Sequence, residues 1–172
     1  MRELEKVKMH RRGGAVTRFH TCTRLQPESN AQHTFGVLCI LQGMYTINDE
    51  QMPISVMAHV LGHDVPEWFT GDIPAPIKAD PLIRSGVDHL EERIFLEAGI
   101  PQKKSLTERH GQLVKLADML DALMSCTEEY DRGNRSEYFM EIRATYFTYI
   151  EMYIKDVKYN ALAKEILDAC QR

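Results

Sequence analysis

Two residues set side by side after an apolar run, His63 and Asp64, carry the first hint of chemistry in this chain. They follow Ile54-Ser55-Val56-Met57-Ala58, and Glu67 stands four residues after the histidine. Burying a carboxylate beside an imidazole is costly unless something pairs with the charge, and a divalent cation does that. Read as part of one helix, His63 and Asp64 point about 100° apart and converge only on an ion lying between their two directions. Glu67, at i+4 from His63, then stands next to the ion without having to bind it.

Two further polar residues interrupt apolar helical patterns. His33 sits early in Asn30-Ala31-Gln32-His33-Thr34-Phe35, and Asp118 lies in the middle of Leu113-Val114-Lys115-Leu116-Ala117-Asp118-Met119-Leu120. An aspartate has poor propensity at a helix centre and needs a partner there. Two imidazoles and two carboxylates form a mixed nitrogen and oxygen set, suited to a divalent transition metal with open water positions. Such an ion lowers the pKa of a bound water. The plainer reading is that Asp118 is solvated or simply hydrogen-bonded and that His33 is structural. His59 and His63 form an i,i+4 pair, but the glutamate of a zinc-protease HExxH is missing, so His59 reads as a core histidine or one behind the ligands. His10, His20, His89 and His110 gain no metal role from spacing; His20 follows Arg18-Phe19 and is a candidate pocket residue on that ground alone.

Helices must position these groups. A charged segment over 1–14 reads as a short helix followed by a turn or loop, and 15–30 as an extended segment and loop. Ser29 or Asn30 is the N-cap expected for a helix over 31–46. Pro53 opens a second helix running to Phe69, which Gly71, Pro74 and Pro76 break. Helices are expected over 81–99 and 106–131, the latter with Leu113, Leu116, Leu120 and Leu123 at helical spacing. Residues 136–172 read as one or two more helices. No segment alternates like a strand, so the expected fold is all-α, a single-domain helical bundle over 1–172.

Composition narrows the function classes. The 172 residues are 44% hydrophobic and 27% charged, ordinary for a globular domain with its own core. A net charge of −4 argues against a general nucleic-acid or membrane binder. Four scattered cysteines without a CxxC argue against a zinc ribbon or a disulfide framework. The first residues hold no apolar core of a signal peptide, and no apolar run spans a bilayer. A cytoplasmic protein is the expectation.

The spacing H…HD…D, carried by His33, His63-Asp64 and Asp118, resembles the signature of the HD superfamily of metal-dependent phosphohydrolases. The stretch from His63-Asp64 through Glu67, Thr70-Gly71-Asp72 and Pro74-Ala75-Pro76 to Lys78 is similar to the long motif of bacterial 5′-deoxynucleotidases. Arg18-Phe19 resembles their Arg-Trp pair, with phenylalanine for tryptophan, and Leu113 to Asp118 resembles their closing motif. The resemblance covers about residues 16–125. It implies an HD-domain bundle in which His33, His63, Asp64 and Asp118 bind the metal (Co, Mn, Zn or Fe). It further implies Glu67 as general acid/base and Asp72 as the residue that orients or helps deprotonate the attacking water. Arg18 would hold a substrate phosphate by its fork, Lys78 would add positive charge, and Lys115 is a weaker phosphate candidate. Phe19 would pack on the deoxyribose.

Two reactions share such a site. A 5′-deoxynucleotidase cuts the ester of a dNMP, and a triphosphohydrolase cuts the same ester of a dNTP and releases triphosphate. The compact chain, and Arg18-Phe19-His20 followed by Thr21-Cys22-Thr23-Arg24, resemble the phage-type dATP triphosphohydrolases, which deplete dATP where DNA carries 2-aminoadenine. That favours dATP as substrate, in a host cytoplasm if the chain is phage-encoded. Lys6, Lys8, Arg11 and Arg12 are available for extra phosphates, although such charges are usually just solvated. A nucleotide-binding regulatory module is the non-enzyme alternative, but it needs neither Glu67 nor Asp72. The apolar, aromatic stretch Tyr146 to Ile154 exceeds one helix face, pointing to a homo-oligomer, with core packing as the competing explanation.

Overall fold

Ser29 starts the first long helix of the core. Its hydroxyl accepts the Gln32 N–H while the Gln32 side chain accepts the Ser29 N–H, a reciprocal cap. The computed structural model describes residues 1–154 and 160–171. Their helices are α1 (Glu3–Gly14), α2 (Asn30–Ile47), α3 (Ile54–Val60), α4 (Glu67–Thr70), α5 (Ala75–Lys78), α6 (Pro81–Ala98), α7 (Glu108–Asp131), α8 (Glu137–Tyr153) and α9 (Asn160–Gln171), with a 3₁₀ turn at Lys103–Ser105. Among the described residues the extended pairing is limited to an isolated bridge between Thr17 and Ser29. The fold is an all-α bundle, and no described helix is long and apolar enough to cross a membrane.

The centre of the bundle is α2 against α7, with α8 packed on α7 and α9 packed on both α7 and α2. Val37, Leu41 and Met44 of α2 meet Leu113, Leu116, Leu120 and Leu123 of α7, and Ile150 and Leu167 complete this core. Burying a side chain of this size contributes about 1.5–3 kcal/mol, which is why α2 and α7 can carry polar residues inward at one end. Met9, Val65, Ile94, Ala98 and Ile100 form a second, smaller core that ties α1 and α6 to the turn holding His63.

Several boundaries differ from the sequence reading. The expected helix from Pro53 to Phe69 ends at Val60, and residues 61–66 run as turns before α4. Gly62 packs directly on Ile100, where a Cβ would lie 2.6 Å from a methyl carbon. Pro66 has no N–H to continue a helical ladder. His63 and Asp64 therefore sit on a turn, and the helical angle between them does not apply. The α1 helix continues through Gly14, past the expected turn. The C-terminal stretch forms α8 and α9; residues 155–159 and 172 of that expectation lie outside the described residues. Ile150 and Ile154 are buried and Tyr146, Phe147 and Tyr153 pack against the core, leaving Tyr149 and Met152 exposed.

Candidate metal and phosphate site

His33 reaches the site from the first turns of α2 and is buried. Its Nε2 lies 3.1 Å from Asp118 Oδ1 on α7 and 3.8 Å from Asp64 Oδ2 on the 61–66 turn. His63 Nε2 is 3.3 Å from Asp64 Oδ1, and the two imidazole rings are 5.5 Å apart. His33, His63 and Asp64 each offer a ligand atom within 4.8 Å of the others. Asp118 stands just beside this trio, its Oδ2 held at 3.0 Å by Lys115 Nζ. The His63 Nδ1 donates to the Val60 carbonyl at 2.7 Å, and the His33 Nδ1 faces Asp121 Oδ2 at 2.6 Å. A carbonyl only accepts, so the lone pair of neutral His63 is left on Nε2. Both Nε2 atoms thus face the carboxylates, and this donor set fits a divalent transition metal.

Charge around the trio is balanced by position. Burial works against ionising Asp118, but Lys115, His63 and Arg18 hold its carboxyl below the usual range. Burial, reinforced by the Asp64 carboxylate, raises Glu67 from 4.5 to about 7. Glu67 accepts a hydrogen bond from Asn30 Nδ2 at 2.8 Å, and Lys78 Nζ lies 3.5 Å from its other oxygen. Lys78 is shared with Glu91 at 3.9 Å, and these carboxylates keep it charged against its burial. A half-neutral carboxyl near pH 7 is what a general acid/base requires.

The loop before α2 brings in Arg18 and Phe19. The Arg18 N–H donates to the Glu28 carbonyl, which folds the segment back beside the start of α2. Burial opposes the Arg18 charge, and Asp64, Glu28 and Asp118 more than restore it. One guanidinium nitrogen, Nη1, is buried without a partner. Phe19 has φ +52°, unusual for a residue with a side chain, and its N–H donates to Asp72 Oδ2 at 2.7 Å. Asp72 thus also holds the backbone of the Arg18-Phe19 pair. The guanidinium groups of Arg18 and Arg24 lie 5.3 and 5.2 Å from the Phe19 ring centre. His20 is exposed on the same loop. Three of the N-terminal basic residues are engaged elsewhere: Lys6 with Glu3, Lys8 with Glu5, and Arg12 over Trp68.

Four polar residues at or behind the site escaped the sequence reading. Glu129 is fully buried and accepts hydrogen bonds from the Leu25 and Gln26 N–H groups and from Asn134 Nδ2. Arg24 beside it pairs with Glu28 at 3.0 Å. Asn30, legible in the sequence only as a helix cap, donates to Glu67 instead. Asp121, one turn beyond Asp118 in the same apolar helix, gave the same signal of a misplaced aspartate. His59 is buried and bonded through Nδ1 to the Pro101 carbonyl, the first of the two places the sequence left open for it.

An all-α bundle closing on a cluster of two histidines and two aspartates defines a class, the HD-type phosphohydrolases, and comparison with known proteins agrees. The family model described as 5′-deoxynucleotidase YfbR-like matches residues 7–170. The chain belongs to this YfbR-like family and is an HD-type phosphohydrolase. A 5′-deoxynucleotidase of Vibrio parahaemolyticus is 25% identical over 138 residues, 69% of this chain and 71% of that protein. A dATP triphosphohydrolase of Acinetobacter phage SH-Ab 15497 is 29% identical over 141 residues, 70% of this chain and 66% of that protein. Among solved structures, an HD phosphohydrolase of cyanophage S-2L, bound to dA and one catalytic Zn²⁺ ion, superposes with a TM-score of 0.77 over 95% of each chain at 15% identity. An HD-domain phosphohydrolase of Listeria innocua gives 0.76 at 22% identity, over 97% of this chain and 88% of that one.

Proposed function

We propose that the chain, acting as one HD domain over residues 1–172, hydrolyses the 5′-phosphate ester of a 2′-deoxynucleotide with a divalent transition metal held by His33, His63, Asp64 and Asp118. The convergence of both histidine Nε2 atoms on the Asp64 carboxylate is the observation that carries this reading. An ion bound there supplies positive charge that favours ionisation of the attacking water and offsets charge building on the phosphate. Arg18 holds a phosphate oxygen through its unpartnered guanidinium edge. Lys78 and Lys115 add charge, and Phe19 packs on the deoxyribose. Glu67 takes a proton from the attacking water or gives one to the leaving O5′ as the P–O5′ bond breaks. Asp72 keeps one oxygen on the Phe19 N–H and orients the water with the other.

The preferred substrate is dATP, yielding deoxyadenosine and triphosphate and so depleting dATP, as suits DNA carrying 2-aminoadenine. Support comes from the names of the phage relatives and from three cationic side chains, Arg18, Lys78 and Lys115, around the carboxylates. The second reading, a 5′-deoxynucleotidase releasing phosphate from dNMPs, is favoured by the family model. Self-association through the face bearing exposed Tyr149 and Met152, and a cytoplasmic setting, complete the proposal.

The deciding experiment incubates the protein with each dNTP and each dNMP in the presence of cobalt or manganese and separates the products. Deoxyadenosine and intact triphosphate from dATP, with dAMP nearly untouched, is the expected result. Phosphate from dNMPs with dNTPs intact would establish the second reading in its place.

A further inference from the structure

We propose that Asp121 is a positioning residue for His33, fixing the tautomer and direction in which that imidazole meets the ion. The argument rests on the reading that His33 is a metal ligand. Asp121 Oδ2 lies 2.6 Å from His33 Nδ1, while His33 Nε2 faces Asp118 and Asp64 from the opposite edge of the ring. A carboxylate on Nδ1 keeps the proton there and leaves the lone pair on Nε2. It also makes that nitrogen a stronger donor to a metal. His63 is oriented differently, by the neutral Val60 carbonyl of its own turn. The two histidines therefore differ in the group that orients them, a carboxylate behind His33 and a backbone carbonyl behind His63.

Helical spacing makes this possible. Asp118 and Asp121 are three apart on α7, so one aspartate reaches the ion position and the next reaches behind it. His33 and Gly36 are likewise three apart on the facing side of α2. A Cβ on Gly36 would lie 1.8 Å from Asp121 Oδ1 and 2.7 Å from its Cγ. Glycine inside a helix is unfavourable, yet here it opens the space the carboxylate occupies. The carboxylate and the missing side chain form one arrangement across the α2–α7 contact.

The test uses the full chain with Asp121→Asn, and with Gly36→Ala, which keeps the aspartate but must displace its carboxylate. Zinc affinity is read by competition with a chromophoric chelator, and the cobalt form by its visible absorption. Affinity reduced about 10–100-fold in both variants, with an altered cobalt spectrum and unchanged helical circular dichroism, is expected. Wild-type affinity and spectrum in Asp121→Asn would overturn the proposal, leaving Asp121 as a hydrogen-bond partner only. If the variants do not fold, ¹⁵N NMR of the metal-free wild-type imidazoles decides: the proton of neutral His33 on Nδ1 supports the proposal, and on Nε2 overturns it. A wild-type protein that binds no ion refutes the ligand reading instead, and the metal-free tautomer tells the two failures apart.

Discussion

The half of the site proposed to face the ion and the half proposed to face the phosphate are held by different means. His33, Asp118 and Asp121 project from α2 and α7, whose packing through Leu41, Leu116 and Leu120 sets their positions. Arg18 and Phe19 instead ride on the irregular segment before α2. That segment is pinned by carboxylates: half-buried Asp72 on the Phe19 N–H, fully buried Glu129 on the Leu25 and Gln26 N–H groups, and Glu28 on Arg24. A helix places side chains by its own repeat, whereas a loop needs partners for its backbone donors, and a buried donor left unpaired costs about 1–3 kcal/mol. Damage to the first half should therefore abolish chemistry and spare stability, and damage to the second should weaken both together.

Asp118→Ala should break the ion half outright. Metal content by atomic absorption and turnover are expected to vanish together while circular dichroism stays helical; surviving turnover would show that Asp118 is not a ligand. Glu67→Gln should lower turnover about 100-fold with metal still bound. The same variant tests the buried charge. Because the folded protein holds the Glu67 proton up to about pH 7, against 4.5 for a free carboxyl, it binds a proton the unfolded chain has released across that window. Stability of the metal-free protein accordingly falls as pH rises through the window, and is fullest below it. Metal-free Glu67→Gln should exceed wild type by about 1–3 kcal/mol at pH 8, with the gap closing by pH 5 in urea titrations.

Glu129→Ala should sharpen the contrast from the loop side. It orphans two backbone donors, Asn134 and part of the Arg24 pairing, so a loss of about 2–4 kcal/mol is expected. KM should rise roughly tenfold as Arg18 loses its seat, while metal affinity stays unchanged. An unchanged KM would show that the loop is positioned without Glu129. Lys115→Ala should have the smallest effect, a few-fold change in kcat/KM, since its ammonium is half exposed and screened.

The apolar pattern alone determined the bundle, the α2 and α7 helices and the presence of aspartates where a helix centre does not favour them. Long periodic helices declare themselves because burial and local repeat agree, and resemblance to a known motif then gathered His33, His63, Asp64 and Asp118 into one set. Tertiary structure decided what no spacing encodes. The chain leaves its helix at Val60, and the turn that follows sets Gly62 against Ile100, a contact 38 residues away in sequence. Asp72 meets Phe19, Glu129 meets Leu25, and Asp121 meets His33 across gaps of 53, 104 and 88 residues. A carboxylate carries no mark in sequence of which distant donor it will accept from; the packing of α2 on α7 brings His33 to Asp121, and the fold of the segment before α2 brings Phe19 and Leu25 to theirs.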